Sequence, residues 1–322
     1  MWARLTKQWF LIALGCCFAL GYAAAGPLEP LLQQTVLRSG IVFSVMWAMG
    51  VTLRADTIRR SLARPLPSLL AIGINVAIVP LFCMPAAWLL PDFLFGGLFV
   101  ASIGPCTLAS ASVWTRKAGG DDSIAMMTTV VTNLACLVVV PIGISLVLAE
   151  STEVSATDQM RKLATVVVAP LVLAQIMRRL WLASWADRNK PRLAVFGQLG
   201  ILSMVVFGAV AGAGAVKTAS TDVITWTDGL STIAAAVGVH VVTLVIGIAV
   251  ARRLRVRRDG QIAIGIAGSQ KTLMVGLQIA IDCGVSVVPM LIYHLGQLLI
   301  DTLVAQRWKA AEAARSTDSS ET

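Results

Sequence analysis

The chain has 322 residues, of which 57% are hydrophobic and only 13% charged, and its mean hydropathy is +0.80. Water-facing folds carry about 25% charged residues, so this composition excludes a soluble globular protein and implies an integral membrane one. The net charge of +9 sits in short clusters between apolar stretches, as in membrane-protein loops, which excludes a nucleic-acid partner.

A bilayer core of about 30 Å takes roughly 20 apolar residues per helix. Taken in chain order, the sequence predicts ten such spans, near Gln8 to Ala25, Ser39 to Leu53, Leu66 to Leu90, Phe93 to Trp114, Asp122 to Leu148, Lys162 to Trp181, Leu193 to Val216, Gly229 to Val250, Gly260 to Cys283 and Ser286 to Trp308. Arg4 and Lys7 before an apolar run ending in Ala23-Ala24-Ala25-Gly26 resemble a secretory signal. That run fills a whole span, however, where a signal's apolar region is about 7 to 15 residues, so it is read as the first helix. With both termini cytoplasmic, 21 Lys and Arg residues fall on inner segments and 4 on outer ones (Arg38, Arg161, Lys162, Lys217), as the positive-inside rule requires. Residues 309–322 are expected to form a disordered cytoplasmic tail.

The two halves share a layout. Segment four runs from Phe93 through an apolar stretch into Gly104-Pro105 and then a hydroxyl-rich stretch to Ser112; segment nine runs from Gly260 through Gly268-Ser269-Gln270-Lys271-Thr272. Both read as interrupted helices, and each precedes a span with polar residues at mid-depth, Thr128, Thr129, Thr132 and Asn133 in one half and Tyr293, His294 and Gln297 in the other. An odd number of spans per half makes the second half enter the membrane inverted. The expected fold is therefore all-α and integral to the membrane, with ten transmembrane helices in two inverted five-helix repeats (1–149 and 160–308) joined by an acidic extracytoplasmic linker (150–159), and with discontinuous helices four and nine. Paired broken helices in inverted repeats are the sequence sign of a secondary transporter's midplane site.

Unwound backbone inside a bilayer persists only where protein or an aqueous cavity satisfies its polar groups. Each break turns the N-terminus of its second half-helix toward the membrane centre, where the helix dipole favours an anion. Thr107, Ser110, Ser112, Ser269, Gln270 and Thr272 supply polar groups there, the makings of a substrate cradle for a carboxylate, sulfate or phosphate. Lys271 is a cation at mid-span, a placement costing about 2.5 to 3.5 kcal/mol on an insertion scale. It can act as an anion partner, as a fixed cation in place of a transported one, or as a clamp on carbonyls. His294, Gln297 and Asp301 recur on one helical face, with Asp301 toward the cytoplasmic end, and are the proton-relay candidates. His240 stands alone and reads as interhelical glue. Cys16, Cys17, Cys83, Cys106, Cys136 and Cys283 show no CxxC spacing and read as small buried hydrophobes, and the tryptophans flanking spans read as interfacial anchors.

The stretches from Gly104 to Asp121, from Gly268 to Leu273 and from Pro289 to Leu298 together resemble the bile acid:sodium symporter superfamily, above all its divergent symporter-like branch, over nearly all ten spans. The resemblance implies a panel domain and a core domain, with helices four and nine crossing in the core and alternating access between the two. It also implies one sodium site from Ser110 or Ser112 with Thr129, Thr132 and Asn133, and a second drawing on Asn75, which stands where sodium-coupled members have Gln, and on the backbone near Gln270. Two positions depart from the pattern. Ile266 falls where those members carry a Glu, and Lys271 where they carry an Asn, and both changes oppose sodium.

The reading that follows is a secondary transporter of a small organic anion in a bacterial inner membrane, surrounded by lipid and using no cofactor or metal, with Lys271 standing in for a coupling cation. A non-transporting regulator and a membrane enzyme on lipid-linked substrates are the alternatives; the enzyme lacks an acidic cluster within the spans.

Overall fold

The computed structural model describes residues 9–54, 56, 60–61, 65–148, 155–218 and 225–318. Arg4, Lys7, Arg59, Arg64 and the first half of the acidic linker lie outside the described residues. Within them all regular structure is helical.

Helix α1 (Trp9–Ala23) turns by 97° into α2 (Ala25–Leu32), so the chain bends at Ala24, where the sequence predicts the end of one straight span. Helix α3 (Thr35–Gly50) is only 16 residues long. Helix α4 (Pro65–Trp88) contains a π turn at Ile74–Ile78 followed by Pro80. Proline offers no N–H to the carbonyl four residues back and its ring crowds it, so the ladder widens there. Pro170 produces the same feature at Ala164–Val168 in the second half of the chain. Segment four divides into α5 (Asp92–Ile103) and α6 (Ser110–Lys117), followed by α7 (Asp122–Val147), whose first turn is capped by the Asp121 carboxylate accepting from the Ser123 N–H.

From residue 156 the helical hydrogen bonding continues to 218, through α8 (residues 156–177), a π turn at Arg178–Leu182 and α9 (Ala183–Thr218). This is no single rod. A Cβ on Gly50 would meet Leu171 and Ala174, and one on Gly197 would meet Met49. Residues 174 and 197 would lie about 35 Å apart on a straight helix at 1.5 Å per residue, yet they flank adjacent residues of α3. The chain therefore doubles back near the π turn, where Arg178 donates to the Val51 carbonyl (2.9 Å) and pairs with Asp187 (3.0 Å).

Helix α10 (Trp226–Arg253) opens on a capping box between Thr225 and Asp228. Segment nine divides into α11 (Arg258–Ser269) and α12 (Leu273–Cys283), and α12 stops at Gly284, whose φ of +67° is in the left-handed region that glycine tolerates. Helix α13 (Val288–Asp318) runs on to 318. Six of the described helices are long and apolar enough to cross a membrane, counting 156–214 once, or seven with the bent α1–α2 pair.

The helices pack as two bundles. One joins α1, α2 and α3 to α8 and α9; the other joins α4, α5, α6 and α7 to α10, α11 and α13. Helix α12 is a seam, packing on α5 and α13 on one side and on α9 and α3 on the other. At its end Asp282 pairs with Lys162 of α8 (2.5 Å) and Arg38 of α3 (3.6 Å), and the Gln278 amide donates to both its oxygens (3.0 Å each). Large apolar side chains such as Leu81, Leu146 and Leu180 face outward, which suits a lipid surround. Cys83, Cys106, Cys136 and Cys283 are buried, whereas Cys16 is exposed, a correction to the buried reading of all six.

Candidate functional site

The two helix breaks meet inside the second bundle. In the first, α5 ends and Gly104 turns extended (φ −61°, ψ 155°) before Pro105; in the second, Gln270 (φ −74°, ψ 139°) and Thr272 (φ −75°, ψ 134°) are extended between α11 and α12. The strands of unwound chain touch directly: the Thr272 N–H donates to the Pro105 carbonyl (2.9 Å), and the Thr107 and Ser110 hydroxyls both donate to Gln270 Oε1 (2.9 Å each).

Neighbouring helices satisfy the backbone groups that unwinding frees. From α7, the Thr129 hydroxyl donates to the Thr107 carbonyl (2.9 Å), Asn133 Nδ2 donates to the Cys106 carbonyl (3.0 Å), and Thr132 Oγ1 accepts from the Cys106 N–H (3.0 Å). From α4, the π turn places Asn75 so that its Nδ2 reaches the carbonyls of Ala267 (3.3 Å), Gly268 (3.2 Å) and Gln270 (2.9 Å). From α13, Gln297 clamps Lys271 by both backbone groups, accepting from its N–H (2.9 Å) and donating to its carbonyl (3.0 Å), while the Tyr293 hydroxyl donates to the Ser269 carbonyl (2.8 Å). Buried polar groups left unpaired cost free energy, and here helices from both halves of the chain supply the partners.

Lys271 is 2% exposed. Its Nζ donates to three oxygens: the Asn75 carbonyl (2.5 Å), Asn75 Oδ1 (3.1 Å) and the Gly104 carbonyl (2.8 Å). An ammonium with its three protons so engaged is a cation held in an oxygen cage, spanning α4 and both breaks. In this conformation it reaches no anion. Of the remaining predicted substrate residues, Thr107, Ser110 and Gln270 form one hydrogen-bonded cluster, whereas the hydroxyls of Ser112 and Ser269 bond back to their own helices at Ala109 and Gly265. The Thr272 hydroxyl takes no partner among the described residues.

The expected relay stripe divides in two. His294 Nδ1 contacts Gln297 Nε2 (2.8 Å), but Asp301 points elsewhere: its carboxylate accepts from Gln270 Nε2 and lies 3.3 Å from His240 Nε2. Asp301 and His240 are both fully buried. His240 is thus a correction to its reading as a solitary residue, because no sequence periodicity relates it to Asp301 across two helices. Its other ring nitrogen, Nδ1, lies 3.4 Å from the Ser269 carbonyl.

The two residue sets that the resemblance assigns to sodium are arranged differently. Around Asn75 the lysine ammonium already takes the side-chain oxygen and the adjacent carbonyl. In the other set the Thr129 and Thr132 hydroxyls donate to carbonyls, Ser110 and Ser112 turn to other partners, and Asn133 Oδ1 is the one buried side-chain oxygen of that set left unpaired. A crevice of about 520 Å³ lies elsewhere, in the first bundle between α3, α8 and α9, lined by apolar side chains such as Phe43, Trp47 and Phe196.

Residues 8–310 match the SBF-like CPA transporter family. The chain is 29% identical over 225 residues to an uncharacterised protein of Pseudomonas aeruginosa, covering 68% of this chain and 66% of that one. It is 27% identical to the sodium/bile acid cotransporter 7 of Mus musculus, covering 63% and 62%, and 24% identical to the protein of the same name from Danio rerio, covering 64% and 63%. The chain spans slightly under two thirds of the length of these relatives.

Proposed function

Because the chain belongs to the SBF-like CPA transporter family, and so is a membrane transporter, we propose that it carries a small organic anion across a bacterial inner membrane by alternating access, without sodium. The proposed topology has ten crossings, with both termini cytoplasmic: the α1–α2 pair, α3, α4, the α5–α6 pair, α7, α8, α9, α10, the α11–α12 pair and α13. They form two inverted repeats, 1–149 and 160–308. The first bundle serves as the panel and the second as the core, with α12 sliding on α9 and α3 between states.

The observation that carries this reading is the cage of three oxygens around Lys271 Nζ. A coupling cation at this crossing would need those same oxygens, and a tethered ammonium supplies the charge in its place. The substrate then docks beside the crossing, where Ser110 and Ser112 are half-buried and the Thr272 hydroxyl is unengaged, near the N-termini of α6 and α12, whose dipoles favour a carboxylate or sulfonate. The name of the mouse relative supports a bile-acid-like anion as the first probe.

The test is uptake of radiolabelled taurocholate and a panel of smaller carboxylates and sulfonates into proteoliposomes, in sodium and again in potassium or choline. Uptake of at least one probe is expected, with equal rates in the three salts. A steep sodium dependence with a Hill coefficient near two would overturn the sodium-free reading.

A further inference from the structure

We propose that His240 and Asp301 together hold one exchangeable proton and form the site through which a proton, the mobile coupling ion, acts on the crossing of the two broken helices. This rests on the transporter reading above and adds the identity of its coupling ion.

The argument is a count of donors and acceptors. His240 Nδ1 faces the Ser269 carbonyl at 3.4 Å and Nε2 faces Asp301 Oδ1 at 3.3 Å. A carbonyl oxygen and a carboxylate can only accept hydrogen bonds, while a neutral imidazole has one N–H and one lone pair. With a neutral ring and an ionised Asp301, one nitrogen lone pair must face an oxygen lone pair where no water enters, both residues being fully buried. One added proton removes the conflict. Placed on the ring it makes an imidazolium that donates to both oxygens. Placed on Asp301 it makes a carboxylic acid that donates to Nε2 while Nδ1–H donates to Ser269. The proton comes from water and returns to it, and no other bond changes.

The pair is wired to the breaks. Asp301 accepts from Gln270 Nε2, and Gln270 Oε1 in turn gathers Thr107 and Ser110 from the first break. Ser269 and Gln270 are the last residue of α11 and the first of the break. Losing the proton sets His240 against either Ser269 or Asp301, so one of the ties between α10, α13 and the crossing must lengthen. Lys271 is held in its own cage of oxygens, apart from the pair. Tyr293 packs its ring edge-on against His240 (5.8 Å, 74°) and interacts with Asp301, as does Cys106; the other titratable side chains of the crossing are Lys271, His294 and Cys83. Of these, His294 is engaged with Gln297 and Tyr293 with the Ser269 carbonyl. Other charged residues of α10 and α11, such as Asp228, Arg252, Arg253, Arg258 and Asp259, sit at the helix ends.

The sequence contains two histidines, so imidazole ¹⁵N spectra of the full-length protein in nanodiscs resolve both, with His240→Gln giving the assignment. His240 is expected at neutral pH either as a doubly protonated ring or as a ring whose Nε2 accepts from a carboxylic acid. Asp301→Asn should convert it to a neutral ring without that partner, and an unchanged His294 signal reports that the variant is folded. A neutral His240 with the same signals in wild type and Asp301→Asn would overturn the proton site. Coupling is read separately, from thiol labelling at Thr272→Cys with and without Asp301→Asn, as a rate ratio at each pH. The ratio should change severalfold across the pH range in which the protein stays folded; a flat ratio overturns the coupling. Neither readout needs a transported substrate, so absence of uptake in the liposome assay would count against the transporter reading and leave this result standing.

Discussion

A primary ammonium in the middle of a membrane protein must be solvated by something, and Lys271 is solvated by backbone and amide oxygens from residues 196 and 167 positions away in the chain. Lys271→Met keeps the volume and removes the donor, leaving up to three buried acceptors unsatisfied at about 1 to 3 kcal/mol each. Its thermal unfolding midpoint in detergent should fall clearly and its uptake should vanish, whereas Lys271→Gln or Lys271→Asn with sodium present should regain part of both. Wild-type-like unfolding and uptake by Lys271→Met would show that the ammonium is dispensable. The residue itself was legible in the sequence because a lone charge in an apolar span has few explanations. Its partners were not legible from the residues themselves; only the family resemblance set Asn75 beside the backbone near Gln270, and nothing pointed to the Gly104 carbonyl. The partner of His240 was missed for the same reason: it lies 61 residues on, in another helix.

At the scale of elements, the breaks follow from local chemistry. Gly104-Pro105 cannot continue a helix, and Ser269 to Thr272 place three polar groups and a cation where apolar residues would be needed to span. Neither break would last alone; α7, α4 and α13 hold them open by pairing their backbone groups. The seam helix α12 has a different tie, the Asp282 carboxylate held by Lys162 and Arg38 of the first bundle. Removing that charge should free the end of α12. Asp282→Asn is therefore expected to raise the rate at which a membrane-impermeant maleimide labels Cys283, which is now 6% exposed, by severalfold over wild type. An unchanged rate would mean that packing alone, and not the ion pair, closes this end.

The whole molecule is two bundles interleaved in sequence, and the doubling back of 156–218 decides their arrangement. The proposed ten-crossing topology puts the basic residues from Arg178 to Arg192 and from Arg252 to Arg258 on one side of the membrane, and Asp158 on the other. Single cysteines at Asn189 and Arg255 should be labelled from the cytoplasmic side of oriented vesicles and a cysteine at Asp158 from the outside. Labelling of positions 158 and 189 from the same side would contradict the ten-crossing topology. Helix-forming hydrogen bonds alone do not reveal the turn, because the π turn at Arg178–Leu182 keeps the ladder helical through the bend.

The sequence by itself determined the membrane class, the positions of most helices, the two interrupted segments and the oddness of Lys271. These are local properties: hydropathy over a window, prolines and glycines that stop a helix, a charge where none belongs. Two features were decided by the tertiary structure alone. One is which face of each helix is buried, because lipid is as apolar as a protein core and Leu81 or Leu146 looks the same in sequence whether it faces a neighbour or the bilayer. The other is the polar network of the crossing, where Asn75, Thr107, His240, Lys271 and Asp301 come from five different segments. Each satisfies a group that another segment has exposed, and such pairing leaves no periodicity along the chain, because it exists only once the helices have crossed.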